Sequence, residues 1–273
     1  MLDSVIKVLN DVRKKTPLIH AITNNVVIND NANALLSFGA SPAMVVSPDE
    51  AYDFTAISKA LYINIGTIND EIRHTIINST LSAKEHKVPV VVDPVGCAAI
   101  KSRVDFVKML LKIGNIDIIK GNVGEIKVLL GVETKVRGVD SLDDGNDAPD
   151  VCYELANSIN TTIVATGKFD YISDSRRKII VKNGTEMFTK ITGAGCTLGA
   201  IMAATRAVCD DSVLAALTAL LAVNIAGELA AEESTLPGTF RTKFYDYLYI
   251  LNGDLIKERA KFEEIGGKIS ETF

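Results

Sequence analysis

The sequence lacks several patterns that would assign it to a common class of proteins. Its four cysteines are scattered, with no CxxC pair and no zinc-ligand spacing, which predicts free thiols in a reducing compartment. No cluster of lysine and arginine stands out, and the net charge of −5 argues against nucleic acid as a partner. The amino terminus is an amphipathic pattern with interspersed charges, unlike a signal peptide. We therefore expect a cytoplasmic protein.

What the chain does have is length and apolar content. Its 273 residues, 47% of them apolar, bury a substantial core without disulfides or metals. We see no internal repeat, and the polar stretch Gly138–Pro149 is expected to be a surface loop because composition does not change across it. The apolar stretch Val213–Ala231 is alanine-rich and interrupted by polar residues, which predicts a buried helix, not a membrane span. Residues 1–273 are expected to form a single domain.

Short β-branched runs alternate with helix-period stretches, which predicts an α/β fold with a mostly parallel central sheet and helices on both faces. Asp170–Ser173 and Lys178–Val181 are predicted to form an antiparallel hairpin at the sheet edge, and the chain after Cys196 is predicted to be nearly all helix. The predicted strands are Pro17–Ala21, Ala43–Val46, Leu61–Ile65, Pro89–Val92, Ile116–Ile119 and Thr162–Ala165, and the predicted helices between them include Asn29–Phe38, Asp70–His86, Val104–Ile113 and Val151–Ile159.

The stretch from Ile191 to Cys196 has two glycines one residue apart and opens a helix of small residues. Gly193 and Gly195 let the backbone bend and approach a ligand closely, and the first N–H groups of the helix favour an anion there. Cys196 lies in the first turn and could act as a base, and an anion hole beside a base suits phosphoryl transfer to an alcohol. A tight turn with no ligand is the alternative interpretation.

Two carboxylates follow neighbouring predicted strands. Asp93 comes directly after the apolar run Val90–Val92, and Glu125 lies three residues after Asn122 in the first turn of a predicted helix. Because ligands of such sheets bind beyond the carboxyl ends of the strands, the two carboxylates could hold Mg²⁺ beside substrate phosphates. The alternative for Asn122 and Glu125 is a capping box, in which both residues only begin the helix.

Further polar residues also follow predicted strands. Lys120 could reach a phosphate as a point charge, although a solvated lysine is the default for this residue type. Thr166 could bind a nucleotide phosphate, although a plain turn would use the same residues. Asn24 could hydrogen-bond a ring nitrogen or a hydroxyl. Met44 could lie against a flat heterocycle, with core packing as the alternative. For His20 a structural role is favoured over catalysis.

Taken together, these motifs resemble the hydroxyethylthiazole kinases, ATP-dependent enzymes of the ribokinase-like superfamily that salvage the thiazole half of thiamine. The motifs are, in chain order, HAITN (20–24), GASPAM (39–44), VVVDPVG (90–96), KGNVGE (120–125), RGVDS (137–141), VATG (164–167) and ITGAGC (191–196). The resemblance spans about Thr16 to Ala231, and the combination of HAITN, GASPAM and GAGC is specific. It implies a three-layer ribokinase-like fold.

The resemblance also implies phosphorylation of 5-(2-hydroxyethyl)-4-methylthiazole on its primary alcohol, with ATP and Mg²⁺, by a homotrimer whose sites lie between subunits. The implied roles are thiazole contact for Met44, Gly193 and Asn24, ATP contact for Lys120, Thr166 and Gly195, Mg²⁺ organisation for Asp93 and Glu125, and the place of an aspartate base for Cys196. A helix N-terminus is expected to lower the pKa of the Cys196 thiol toward neutrality.

Two positions depart from the family pattern. The ATP-contacting position more often carries arginine, whereas Lys120 keeps the charge without the bidentate fork. The segment 97–100 after the DPVG motif reads CAAI where glycine and small residues are usual. The rival functions are a kinase of hydroxymethylpyrimidine or pyridoxal, and the ATP-dependent NAD(P)H-hydrate dehydratase, against which Cys196 in place of aspartate argues. A third rival is a non-enzymatic ligand sensor, and the candidate metal pair and base argue against it because a sensor needs neither.

Overall fold

The computed structural model describes residues 1–132, 136–137, 140–141 and 147–265. The strands are β1 (Leu18–Ile22), β2 (Ser41–Ala43), β3 (Ala60–Asn64), β4 (Val90–Asp93), β5 (Ile118–Asn122), β6 (Val136–Arg137), β7 (Asp140–Ser141), β8 (Thr162–Thr166), β9 (Asp170–Ser173), β10 (Lys178–Val181) and β11 (Phe262–Glu264). The helices are α1 (Leu2–Lys15), α2 (Ile28–Phe38), α3 (Pro48–Ile57), α4 (Asp70–His86), α5 (Lys101–Ile113), α6 (Val123–Leu130), α7 (Ala148–Ile159), α8 (Ala194–Arg206), α9 (Ser212–Glu233), α10 (Pro237–Ile250) and α11 (Gly253–Arg259).

Across the described ranges, one central sheet of nine strands organises the protein, in the order β11-β10-β9-β8-β5-β4-β3-β1-β2. The six strands β8, β5, β4, β3, β1 and β2, which are neighbours in this order, pair in parallel. The strands β9, β10 and β11 are joined to this part of the sheet and to one another by antiparallel pairing. The short strands β6 and β7 form a separate ribbon. Because six neighbouring strands are parallel, their carboxyl ends share one edge of the sheet, where ligands of such folds bind.

Helices cover the sheet on both faces, as the alternating pattern predicts. Side chains of α1, α2, α8, α9 and α10 form one apolar core with the sheet, and those of α4, α5, α6 and α7 form a second core. Helix α9 is apolar around its whole circumference and is long enough to cross a membrane, but 89% of its most apolar 18-residue stretch is buried inside the protein. The prediction of a buried helix at Val213–Ala231 is therefore confirmed.

Most predicted elements are present, with shifted boundaries. The strand predicted at Ala43–Val46 lies earlier, at Ser41–Ala43, where β2 forms the edge of the sheet and so tolerates the missing N–H group of Pro42. Helix α3 was not predicted, and neither was β11, which adds a third antiparallel strand. The loop predicted at Gly138–Pro149 lies largely outside the described residues, as do positions 138–139 of the RGVDS motif, and α7 already begins at Ala148.

Candidate active site

The turn before α8 is built around a glycine that no other residue can replace without a collision. Gly193 has φ of 82°, in the left-handed region, and a Cβ atom there would lie 2.4 Å from Cγ1 of Val27. Gly193 is the N-cap residue of α8, so the N-cap position has no side chain to cap the first N–H groups of this helix. The open helix end and its dipole favour an anion at this place.

Asp93 lies at the carboxyl end of β4 and is fully buried. Its Oδ2 atom accepts hydrogen bonds from Tyr62 Oη at 3.1 Å, Lys120 Nζ at 3.0 Å and Asn64 Nδ2 at 3.4 Å. Its Oδ1 atom is buried and has no protein partner within the described residues. Burial raises the pKa of Asp93, and the charge of Lys120 opposes that shift. One carboxylate oxygen is thus fixed by three donors, while the other has no hydrogen-bond partner within the described residues. A buried oxygen without a partner is unfavourable unless a ligand binds to it.

Lys120 connects this carboxylate to the turn before α8. Its ammonium group donates to Asp93 Oδ2 and, at 2.9 Å, to the carbonyl oxygen of Gly195. Burial favours the neutral amine, but the surrounding charges, with that of Asp93 the largest, outweigh burial and raise the pKa of Lys120. The lysine is therefore a buried cation next to the open helix end, and the solvated-lysine alternative is wrong.

Glu125 forms the capping box that was the alternative interpretation. Its N–H group donates to Asn122 Oδ1 at 2.9 Å, and its Oε2 atom accepts from the N–H group of Asn122 at 2.8 Å. Its Oε1 atom accepts from the N–H group of Gly96 at 2.7 Å, which ties the helix to the loop after Asp93. Burial, and next the charge of Asp93, raise the pKa of Glu125 to about 7.

Cys196 is half-buried in the first turn of α8 and lies next to Asn24. Asn24 Nδ2 donates to Cys196 Sγ at 3.4 Å and to Asn64 Oδ1 at 3.0 Å. The expected lowering of the thiol pKa is wrong: burial, and next the charge of Asp93, raise the pKa of Cys196. Loss of solvation and a nearby carboxylate both disfavour the thiolate.

Two residues of this network were missed by sequence reasoning. Tyr62 and Asn64 lie on β3, two residues apart and therefore on one face of the strand, and both contact Asp93. Asn64 Nδ2 also donates to Tyr62 Oη at 3.0 Å. An asparagine at the end of an otherwise apolar run was the available signal, whereas Tyr62 looks like an ordinary core residue in the sequence.

The remaining candidates differ in how closely they join this network. Thr166 is the register partner of Asn122 at the ends of β8 and β5, and its hydroxyl donates to the carbonyl oxygen of Gly121 at 3.3 Å. Met44 directly follows β2 and packs half-buried against the core, and no hydrogen bond or ion pair of the described residues links it to Asp93 or Cys196.

His20 has a structural role, as expected from the sequence. It is fully buried, with Nδ1 2.8 Å from the hydroxyl of Thr55 and Nε2 2.9 Å from the carbonyl oxygen of Val45. Burial lowers the pKa of His20. Both ring nitrogens are engaged, so His20 has none left for a ligand.

The carboxylates fit a divalent cation that takes part of its coordination shell from elsewhere. No group of three or more His, Cys, Asp and Glu side chains in the described part of the chain could hold a metal by itself. The Oδ1 atom of Asp93, which has no partner within the described residues, and the mutual repulsion of Asp93 and Glu125 both favour a cation near these carboxylates. Mg²⁺ is commonly bound in this way, by one or two carboxylates, water and substrate phosphates.

Comparison with known proteins identifies the family. The model of the hydroxyethylthiazole kinase family matches residues 9–254. Hydroxyethylthiazole kinase 2 of Clostridium botulinum (strain Loch Maree / Type A3) is 54% identical over 256 residues, which cover 94% of this chain and 97% of that protein.

Two solved structures agree with this result. The hydroxyethylthiazole kinase structure from Pyrococcus horikoshii OT3 is 39% identical with a TM-score of 0.89, and the match covers 96% of this chain and 99% of that chain. A ribokinase-like superfamily protein from Enterococcus faecalis V583 shares the fold alone, at 13% identity and a TM-score of 0.65, over 93% of this chain and 95% of that chain. The expected ribokinase-like fold is thus confirmed, and the chain belongs to the hydroxyethylthiazole kinase family.

Proposed function

We propose that this protein transfers the γ-phosphoryl group of ATP to the primary alcohol of 5-(2-hydroxyethyl)-4-methylthiazole, the salvage reaction that supplies thiazole phosphate for thiamine biosynthesis. The family match over residues 9–254 supports the activity. The observation that carries the proposal is the Lys120 ammonium, which connects the strand-end carboxylate of Asp93 to the open N-terminus of α8. A buried acid, a buried cation and free N–H groups are what a transferring phosphoryl group needs around it.

Lys120, Thr166 and Gly195 are proposed to bind ATP. The ammonium group of Lys120 has three hydrogens, and the protein provides acceptors for two of them within the described residues, which leaves one for a phosphate oxygen. Gly195 is exposed, so its backbone is open to a ligand. The hydroxyl of Thr166 lies at the same edge of the sheet as Asn122.

Asp93 and Glu125 are proposed to organise Mg²⁺. The bare Oδ1 atom of Asp93 is suited to the ion or to one of its waters. Each oxygen of Glu125 already accepts one backbone hydrogen bond, so a contact through water suits Glu125 best. The ion would neutralise charge on the phosphates while Lys120 and the N–H groups of α8 orient them.

Asn24, Met44 and Gly193 are proposed to bind the thiazole, with the substrate hydroxyl directed toward Cys196. Because burial raises the pKa of the thiol, only a small fraction is thiolate at neutral pH. The transition state of phosphoryl transfer is loose, so positioning contributes more than proton removal, and Cys196 acts as a modest base.

We also propose that the protein is a cytoplasmic homotrimer with active sites between subunits, each chain forming a single domain. Exposed apolar side chains lie on or beside the segments that carry Asn24 and Met44, among them Val26, Leu36 and Ile57, which are 62%, 59% and 63% exposed. Apolar side chains on these segments support burial against a second copy. The nine-stranded sheet contains both β1, near the beginning of the chain, and β11, near its end, which supports the single domain.

An ATP-consumption assay with a panel of alcohols tests the proposal. We expect ADP formation with the thiazole alcohol and much lower kcat/KM with hydroxymethylpyrimidine and pyridoxal. ADP formation dependent on hydrated NADH identifies the dehydratase activity instead. Binding of the thiazole without ATP turnover, in the presence of Mg²⁺, identifies a ligand sensor. Sedimentation of the purified protein measures the oligomeric state.

A further inference from the structure

Tyr62 is a fully buried tyrosine whose ring lies directly against the first turns of α8. A Cβ atom built on Gly199 of α8 would lie 2.6 Å from Cε2 and 2.7 Å from the hydroxyl oxygen of Tyr62. The ring therefore reaches this helix only because residue 199 has no side chain. A glycine inside a helix is less favourable than alanine, so the contact with Tyr62 is made at a position that is locally unfavourable for the helix.

The hydroxyl of Tyr62 lies between the strand-end acid and the candidate anion-binding turn. It is 3.1 Å from Asp93 Oδ2 and 2.9 Å from the carbonyl oxygen of Cys196, and it accepts a hydrogen bond from Asn64 Nδ2. A tyrosine hydroxyl has a single hydrogen, which these two acceptors share. The group thus connects Asp93 to the residue proposed as base through one oxygen atom.

The two links from Asp93 to α8 run in parallel. Lys120 joins Asp93 Oδ2 to the carbonyl oxygen of Gly195, and Tyr62 joins the same oxygen to the carbonyl oxygen of the next residue, Cys196. Both links use Oδ2, and Oδ1 has no partner among the residues that the structure describes. The carboxylate therefore has a defined orientation, and so does the first turn of α8 relative to it.

We propose that Tyr62 is a positioning residue for phosphoryl transfer, whose hydroxyl sets the separation between the Asp93 carboxylate and the first turn of α8. This inference rests on the proposed kinase function. Tyr62 touches neither substrate in this role, and it acts through Asp93 and Cys196. A misplacement of about 1 Å can lower a rate by roughly 100-fold, because an in-line transfer requires aligned groups.

The substitution Tyr62→Phe tests this role, because it keeps the ring and removes only the hydroxyl. We expect kcat to fall about 10- to 100-fold, with the KM values for ATP and the thiazole alcohol within about twofold of the parent. Tyr52→Phe is the matched control, since the Tyr52 hydroxyl also donates to a carboxylate, that of Glu85, between α3 and α4. The control is expected to keep the parental kcat.

A double-mutant cycle tests the same inference independently of the hydroxyl. Gly199→Ala is expected to displace the ring of Tyr62 and to lower kcat by a similar factor, whereas in a Tyr62→Val background the same change is expected to have no further effect on kcat. Thermal unfolding measures whether each variant is folded.

Three results would overturn the positioning role: a Tyr62→Phe enzyme with parental kcat, a loss that appears only as raised KM values, or additive effects of the two substitutions in the cycle. Failure of the proposed function would be seen separately, because the parent protein would then turn over a different alcohol. In that case kcat of the parent and of Tyr62→Phe is compared with that alcohol, and the comparison decides the role of Tyr62.

Discussion

Lys120 and Asp93 form an ion pair in the interior of the protein: Nζ lies 3.0 Å from Oδ2, and the two side chains are only 5% and 1% exposed. A buried pair contributes little to stability relative to an apolar pair, but removal of one partner leaves an uncompensated charge. The pair therefore makes Lys120 important for stability, in addition to its proposed role in ATP binding.

The substitution Lys120→Met is expected to lower the free energy of unfolding by about 3–5 kcal/mol, because Asp93 then remains buried without its cation. Urea unfolding at neutral pH measures the loss. Lys15→Met is the control, since Lys15 pairs with Asp11 on the surface, where the side chains are 54% and 26% exposed. The control is expected to change stability by less than about 0.5 kcal/mol, as exposed pairs do. Equal losses in the two variants would contradict the importance of the buried pair.

Substitutions of Cys196 separate a base from a residue that only donates its N–H group. Cys196→Ala is expected to lower kcat by a factor of roughly 10²–10⁴. The raised thiol pKa favours the smaller of these losses, because little of the thiol is ionised. Cys196→Asp is expected to keep most of the activity. Because the thiol pKa is raised, kcat of the parent is expected to increase with pH through the neutral range, whereas kcat of the aspartate variant is flat there. Cys209→Ala is the control, because Cys209 is a free cysteine three residues beyond the carboxyl end of α8. An alanine variant as fast as the parent at every pH would remove the thiol from the mechanism.

The substitution Glu125→Gln tests the proposed magnesium site. The Mg²⁺ concentration for half-maximal activity is expected to rise about 10-fold, because a carboxylate that orients the ion or its water is lost. The change also disturbs the capping box, so Asn69→Ala is the control: Asn69 caps α4 by accepting from the N–H group of Ile72 at 2.8 Å. The control is expected to lose about 1 kcal/mol of stability with the parental Mg²⁺ dependence. An unchanged Mg²⁺ titration for Glu125→Gln would exclude this residue from the site.

The close contact that a Cβ atom at position 193 would make with Val27 gives a prediction that separates backbone strain from side-chain crowding. Gly193→Ala places a methyl group 2.4 Å from Val27, whereas Gly131→Ala has a similar positive φ, 96°, with no atom within 4 Å. We expect Gly193→Ala to lose about 1–3 kcal/mol more stability than Gly131→Ala, because overpacking adds to the strain. The second substitution Val27→Ala is expected to restore part of the loss in Gly193→Ala. Chemical unfolding of the parent and these three variants measures the differences, and equal losses of stability for the two glycine substitutions would show that crowding is absent.

Much of the site could be predicted from the sequence because its residues follow strands. In a parallel sheet the strand ends share one edge, so Asp93, Lys120 and Glu125 were expected near one another. Lys120 donates a hydrogen bond to Asp93, and Glu125 accepts one from Gly96 in the loop that follows Asp93. The GAGC turn was also predictable, since a left-handed N-cap before a helix requires glycine.

The parts that were missed depend on tertiary contacts. Tyr62 lies in an apolar run and becomes part of the site only because α8 packs across β3, at the position where residue 199 lacks a side chain. The pKa of Cys196 depends in the same way on its burial and on Asp93, which is distant in sequence, and local helix geometry gives the opposite expectation. Helix α3 begins after Ser47 at a proline and shows only a weak apolar stripe, so periodicity did not indicate it.

His20 gives a prediction on stability against pH that is independent of catalysis. Burial lowers its pKa below the ordinary value of 6.5, so the unfolded chain binds a proton more readily than the folded protein. The contribution of His20 to stability is therefore complete above pH 6.5 and is lost as the pH falls below that value, with a slope of up to about 1.4 kcal/mol per pH unit. His20→Gln replaces the titrating ring by a neutral amide and is expected to remove this component of the slope, while His74→Gln, in α4, serves as the control. Urea unfolding of the three proteins between pH 5 and 8 measures the slopes, and identical slopes for the parent and His20→Gln would show that His20 is not held neutral by the fold.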